Sequence, residues 1–292
     1  MADANRKFNP FEHVADSDTF HIFETAGIEI HGVSYAGIPL KFILLMTVCA
    51  IAVAVMLIWL GRKMRTGEPP TGKLWNLVES LVFFVRDKIA RPALGDKEAD
   101  DYLPYLTTLF LFIFAMNLIG MVPFLASPTA SIMVTGALAL VSFLVIHASG
   151  IRTHGGVMPY LKTFIPHIHL EGGLALQLFA KVLIIGMTIL EYLTAFIRVS
   201  VLAIRLLANM LAGHTVLFVI LFFIALVDHP QYKVPIAQVP IAQELMFWVV
   251  ALVSVALVTA LSLLELFIAG LQAFIFTFLT AVFIGLAKHP PH

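Results

Sequence analysis

The chain alternates between long runs with almost no polar residue and short connectors crowded with charge, glycine and proline. Leu40 to Leu60 is the first apolar run, about 21 residues at ~1.5 Å each, enough for one helical crossing of ~30 Å of hydrocarbon. Arg62, Lys63, Arg65 and Lys73 follow it, so the positive-inside rule puts this cluster in the cytoplasm and the tail, residues 1–39, outside. Residues 74–90 read differently. Asn76, Glu79, Ser80, Arg86 and Asp87 recur at three- and four-residue steps among Leu, Val and Phe, the pattern of an amphipathic helix. Lying in the membrane plane, this helix leaves the second basic cluster (Arg86, Lys88, Arg91, Lys97) on the same side as the first. A crossing would cancel the charge bias. Residues 104–123 and 130–149 are two further spans, joined by the uncharged F-L-A-S-P-T at 124–129, and they predict a helical hairpin.

Two longer segments follow. Residues 174–227 and 241–287 contain no proline, and at ~1.5 Å per residue they make some 80 Å and 70 Å of helix. Breaking each into two spans requires turn chemistry, and only isolated glycines are on offer: Gly186 and Gly213, Gly270 and Gly285. Long, steeply tilted helices are the alternative. Helices ordinarily tilt by ~20°, so such a tilt calls for an outside surface to pack on, and hence for a partner. The connector D-H-P-Q-Y-K-V-P-I-A-Q-V-P at 228–240 is the strongest turn signal in the chain and falls outside.

Composition agrees with this pattern. Charged residues are 12% of the 292, about half the ~25% of a soluble domain, and hydrophobic residues are 60%, which defines a polytopic membrane protein. Net charge is zero, which removes the basic stripe that nucleic acid would need. Cys49 is the only cysteine, so no disulfide or cysteine metal site forms within one chain. The tail has neither the apolar core of a signal peptide nor the arginine content of a transit peptide. No repeat of fixed period is visible, and residues 40–292 read as a single membrane domain. The connector 149–173 carries Arg152, His154, Lys162, His167, His169 and Glu171. Its H-I-H-L-E run at 167–171 lacks a fourth ligand and reads as solvated loop before metal site.

Polar side chains inside the apolar helices are costly, roughly 3 kcal/mol each on insertion scales, and so demand a reason. Glu191, Arg198 and Arg205 are spaced by seven and drift only ~20° per step at ~100° per residue, so they share a face; Asn209 stays within ~40° of it. His214 is about 180° round from Arg205 and faces away. Glu265 and Gln272 share a face of the last helix, and Glu244 is near that helix's outer end. Asn117 lies inside the hairpin, as a helix-packing amide or as the lining of an aqueous path. Taken singly, Glu265 could bridge Arg198 or Arg205, and His214 could be a hydrogen-bonded core histidine. Together, a permanent cation on one face and titratable His and Glu groups elsewhere are what a proton path requires.

Four ordered motifs carry a resemblance. R-L-L-A-N-M-L-A-G-H at 205–214, L-Q-A-F-I-F at 271–276 with Glu265 seven residues before Gln272, M-N-L-I-G-M-V-P at 116–123 and S-P-T-A at 127–130 resemble the a subunit of rotary F-type ATP synthases, from about residue 40 to the C-terminus. The resemblance implies the stator half of a proton turbine, in the bacterial plasma (inner) membrane, with the C-terminus cytoplasmic. Its two long helices would pack on a ring of c subunits, beside a b-subunit peripheral stalk and the remaining ATP synthase subunits. Arg205 would face the ring, attract its ionised carboxylate and keep two half-channels electrically separate, with Asn209 beside it. His214, Glu265 and Gln272 match positions lining the outer half-channel, in an arrangement where some members exchange the His and the Glu. Glu191 matches an acidic position of the cytoplasmic half-channel, and Asn117 and Glu244 are further channel-lining candidates. No cofactor or catalytic site within the chain is implied, and proton or sodium is chosen at the ring carboxylate. Val199 departs from the pattern, since many members carry a proline there.

Rival classes fit less well. A secondary transporter would show repeated bundles with paired helix interruptions, and none is visible. An intramembrane enzyme would carry H-E-x-x-H or a nucleophile elbow, and neither occurs. A purely structural subunit would not need Arg205.

Overall fold

The computed structural model describes residues 40–64, 72–121, 128–164, 174–228 and 240–290. Among these, the order is α1 (Leu40–Met64), α2 (Lys73–Val85), a π-turn (Arg86–Ala90), α3 (Arg91–Leu94), α4 (Asp96–Gly120), a 3₁₀ turn (Pro128–Ala130), α5 (Ile132–Thr153), α6 (Val157–Lys162), α7 (Leu174–Asp228) and α8 (Pro240–Lys288). Among the described residues five helical stretches are long and apolar enough to cross a membrane: Ile43–Lys63, Asp96–Gly120, Ile132–Thr153, Val182–Leu217 and Trp248–Lys288. The protein is therefore the all-helical, multi-pass membrane protein that the apolar runs predict. Each long segment is one helix, of 55 residues in α7 and 49 in α8, without a turn at any of its glycines.

Local chemistry accounts for where the helices stop. Arg62 and Lys63 occupy the last turn of α1, where cations complement the carbonyl end of the helix. Gly95 adopts φ +78, its N–H donates to the Arg91 carbonyl at 2.9 Å, and its own carbonyl accepts from Ala99 at 3.0 Å, so one residue ends α3 and starts α4. Asp96 and Glu98 fill the first turn of α4. This helix begins eight residues before the expected Pro104, because acidic residues favour a helix N-terminus and the proline is accommodated within the helix. α5 runs on to Thr153, where Gly155 at φ +75 lets the Gly156 N–H reach the Ile151 carbonyl at 3.1 Å. The short α6 then occupies part of what reads in the sequence as loop.

The chain forms two compact units. The first draws on residues through Ile51, Ile113–Ser131 and Leu206–Gln272. Its interior holds Ile113, Met116, Asn117, Leu206, Met210, Glu265, Ala269 and Gln272. The second draws on Ala52–Phe112, Ile132–Arg205 and Ala273–His292. There α2 seats Trp75 and Val78 against Leu60 of α1, with the Trp59 and Trp75 rings edge to face at 5.5 Å and Lys63 Nζ 5.0 Å from the Trp75 ring centre. α8 lies so close to α3 that a methyl on Gly285 would come within 2.7 Å of the Ala93 carbonyl oxygen. Tyr102 bonds Ser149 and Tyr105 bonds Ser142, which joins α4 to α5 by two hydroxyl pairs. Arg86 forks onto Asp100 at 2.9 and 3.0 Å, and Glu98 receives Lys288 at 2.8 Å and His289 at 3.2 Å.

Candidate functional site

In the first unit Asn117, Glu265 and Gln272 are enclosed by close helix packing. The inward face of α8 carries Ser254, Glu265, Ala269, Gln272 and Phe276, spaced by three, four or eleven residues, so Glu265 and Gln272 both lie on its buried side. Glu265 is 6% exposed, and its carboxyl reaches α7 at Gly213. A Cβ on that glycine would lie 2.9 Å from Glu265 Oε1 and 3.2 Å from Cδ. Glycine here makes room for a carboxylate, and the backbone it opens is that of the residue before His214. One turn along α8, Asn117 Nδ2 of α4 donates to the Ala269 carbonyl at 3.2 Å. Asn117 is fully buried, and its Oδ1 has no hydrogen-bond partner among the described residues. Three helices therefore meet around the Glu265 to Gln272 face.

The second unit contains a different kind of site. A cavity of about 170 Å³ is bounded by α5, α6, α7 and the end of α8, and its polar lining comprises His147, Tyr160, Thr163, Glu191 and Arg198. Glu191 and Arg198 are two turns apart on one face of α7, which is why both reach the same space. The Arg198 guanidinium is held 5.6 Å over the Phe283 ring of α8, a cation–π contact that fixes the charge at the wall. Tyr160 is 3% exposed and pressed onto α5 at Gly150, and burial pushes its phenol up to about 12, so it stays protonated.

Arg205 is exposed, flanked in sequence by Ile204, also exposed, and Leu206, buried. It forms no ion pair among the described residues. The buried stripe of α7 is Val199, Leu202, Ala203, Leu206 and Met210, and Arg205 projects roughly 120° from its centre. Asn209, one turn on, is half-buried. Val199 sits within unbroken helix. The side chains of His214 and Glu244, the tail 1–39 and the His167, His169 and Glu171 run lie outside the described residues.

The structure thus groups Asn117, Glu265 and Gln272 in one unit, and Glu191 with Arg198 in the other. Three residues of these sites had no role assigned from the sequence: Gly213, His147 and Tyr160. The signal for His147 was available, as a lone imidazole near the end of an apolar run. Gly213 stands within the R-L-L-A-N-M-L-A-G-H motif, but its packing role appears only when another helix is laid against it.

These features define a helical membrane protein that holds carboxylates, amides and an outward-facing arginine within membrane-crossing helices, the equipment of an ion-translocating subunit. The family described as ATP synthase A chain matches residues 43–285, and the chain belongs to it. It is 40% identical over 239 residues to the ATP synthase subunit a of Myxococcus xanthus, a match covering 82% of this chain and 69% of that protein. It is 38% identical over 247 residues to the ATP synthase subunit a of Anaeromyxobacter dehalogenans, covering 85% of this chain and 57% of that one. With the ATP synthase subunit a of Chloroherpeton thalassium the identity is 34% over 294 residues, covering 98% and 78%. Family membership assigns the chain an ion-translocating role in the membrane sector of ATP synthase.

Proposed function

We propose that the chain is the proton-translocating stator subunit of a rotary ATP synthase, offering two offset half-channels to the carboxylates of a c-subunit ring. The observation that carries this reading is Arg205, a permanent cation on a membrane-crossing helix that points outward from its own chain. A guanidinium at that depth needs an anion, and an outward-facing one takes it from a partner. A ring carboxylate fits, since it can be ionised when it meets Arg205 and protonated when it turns into lipid.

Glu265 and Gln272 belong to the outer half-channel in this reading, together with His214 and, nearer its mouth, Glu244, and Asn117 packs α4 against α8 beside them. Glu191 belongs to the cytoplasmic half-channel. Asn209 stands beside Arg205, and Arg205 keeps the two paths from joining. A proton crossing ~100 mV gains about 2.3 kcal/mol, which a direct leak past Arg205 would dissipate. The remaining assignments follow the same reading: N-terminus outside with residues 1–39 as its tail, residues 40–292 as the membrane domain, C-terminus in the cytoplasm, the bacterial plasma membrane as the site, and a b-subunit stalk and the other synthase subunits as partners.

Arg205→Ala tests it. In membrane vesicles the substituted subunit inserts and assembles with the ring, while ATP synthesis driven by an imposed proton gradient falls to background. Coupled synthesis retained without Arg205 contradicts the proposal.

A further inference from the structure

The Glu191 cavity contains a titratable group that the half-channel reading leaves unused. His147 stands on α5 and lines the same cavity as Glu191 and Arg198. Its Nδ1 lies 2.9 Å from the Phe143 carbonyl oxygen. A carbonyl can only accept, so Nδ1 carries the hydrogen, and in the neutral ring Nε2 is left as the proton-accepting atom. The ring is clamped, 3.9 Å between centres from Phe143 and edge-on to Tyr160 at 5.9 Å. Tyr160 in turn meets Phe164 at 5.2 Å, and Phe164 stacks on Tyr192 of α7 at 4.7 Å. An aromatic wall therefore runs from α5 through α6 to α7 and holds the imidazole at a fixed place in the cavity. The space, about 170 Å³, suits on the order of five waters at ~30 Å³ each. The other polar groups around it are Glu191 and Arg198 on α7, Tyr160 and Thr163 after α5, and His154 behind Tyr160 at 6.0 Å. α8 contributes Phe283, Leu286 and Ala287, none of them titratable.

We propose that His147 is a second proton-exchanging side chain of this cavity, working with Glu191 through water. Nε2 takes a proton from the hydrated cavity to give imidazolium, with hydrogens on both ring nitrogens. It then releases that proton from Nε2 through water to the Glu191 carboxylate, and the neutral tautomer is restored with Nδ1 still on the Phe143 carbonyl. Reversed, the same exchange carries a proton from Glu191 back to the cavity water. The inference rests on the cytoplasmic half-channel reading for Glu191.

The test measures passive proton flux through the assembled membrane sector, in vesicles stripped of the catalytic head. His147→Phe keeps a ring between Phe143 and Tyr160 but removes the base; His147→Ala opens the space. Each lowers flux about tenfold or more while the subunit remains assembled with the ring. Imidazole added to His147→Ala restores flux, whereas pyrazole, equal in size and a much weaker base, does not. Wild-type flux in both variants, failure of imidazole to restore it, or equal rescue by pyrazole overturns the proposal. Arg205→Ala, assayed in vesicles that retain the catalytic head for ATP synthesis driven by an imposed proton gradient, separates the two readings. If it uncouples while the His147 variants behave as wild type, only the His147 inference fails. If it stays coupled, the half-channel assignment itself fails, whatever imidazole does.

Discussion

Glu265 and Glu191 are both carboxylates on long apolar helices, and their surroundings differ in kind. Glu265 is packed on α7 closely enough that a methyl on Gly213 would meet its carboxyl at 2.9 Å and displace it, and the nearby amide of Asn117 is spent on a backbone carbonyl. Glu191 lines open space shared with an imidazole, a phenol and a guanidinium. The first environment fixes a side chain by shape, so its function is sensitive to displacement. The second fixes the walls and leaves the contents mobile, so its function is sensitive to which groups can exchange protons. One helix, α7, supplies residues to both: Gly213 to the first, Glu191 and Arg198 to the second.

The contrast can be broken most sharply at Gly213. The far end of Glu265 is flexible, so Gly213→Ala leaves the helix intact and favours it by roughly 1 kcal/mol, since alanine is the better helix former. The carboxyl must nevertheless move, and a displacement of ~1 Å at a site of this kind costs about 10²-fold in rate. Proton flux should fall by that order while the melting temperature in detergent holds or rises; unchanged flux would show that the carboxyl's position is not held by shape. Asn117→Ala is the milder change. It removes one interhelical hydrogen bond, worth on average ~0.6 and at most ~1.7 kcal/mol in membrane proteins, so thermal stability drops slightly and flux falls less than for Gly213→Ala. A larger loss of flux than at Gly213 would make Asn117 a conducting group instead of a packing one.

Much of this architecture could be read from the sequence, for physical reasons that also mark where the reading stopped. Hydrocarbon thickness sets the length of apolar runs, and the absence of turn chemistry in 174–227 and 241–287 forecast two unbroken helices, which α7 and α8 are. The start of α4 was read late because Pro104 looks like a boundary, while the acidic first turn at Asp96 and Glu98 outweighs it. α6 has six residues, too few for a periodic signal. At the site, residue type was legible and pairing was not. Asn117 could be recognised as costly, but its partner is the backbone of Ala269, 152 residues away, and a backbone carbonyl has no sequence signature.

The central claim is that the Glu265 and Glu191 regions serve one path in series. Passive proton flux in stripped vesicles tests it directly with Glu265→Gln, Glu191→Gln and the double substitution, each checked for assembly with the ring. A series path predicts that both single changes lower flux and that the double falls to about the level of the slower single, because one step already limits the whole. Wild-type flux in either single variant, or a double variant that loses the product of the two single losses, would contradict it.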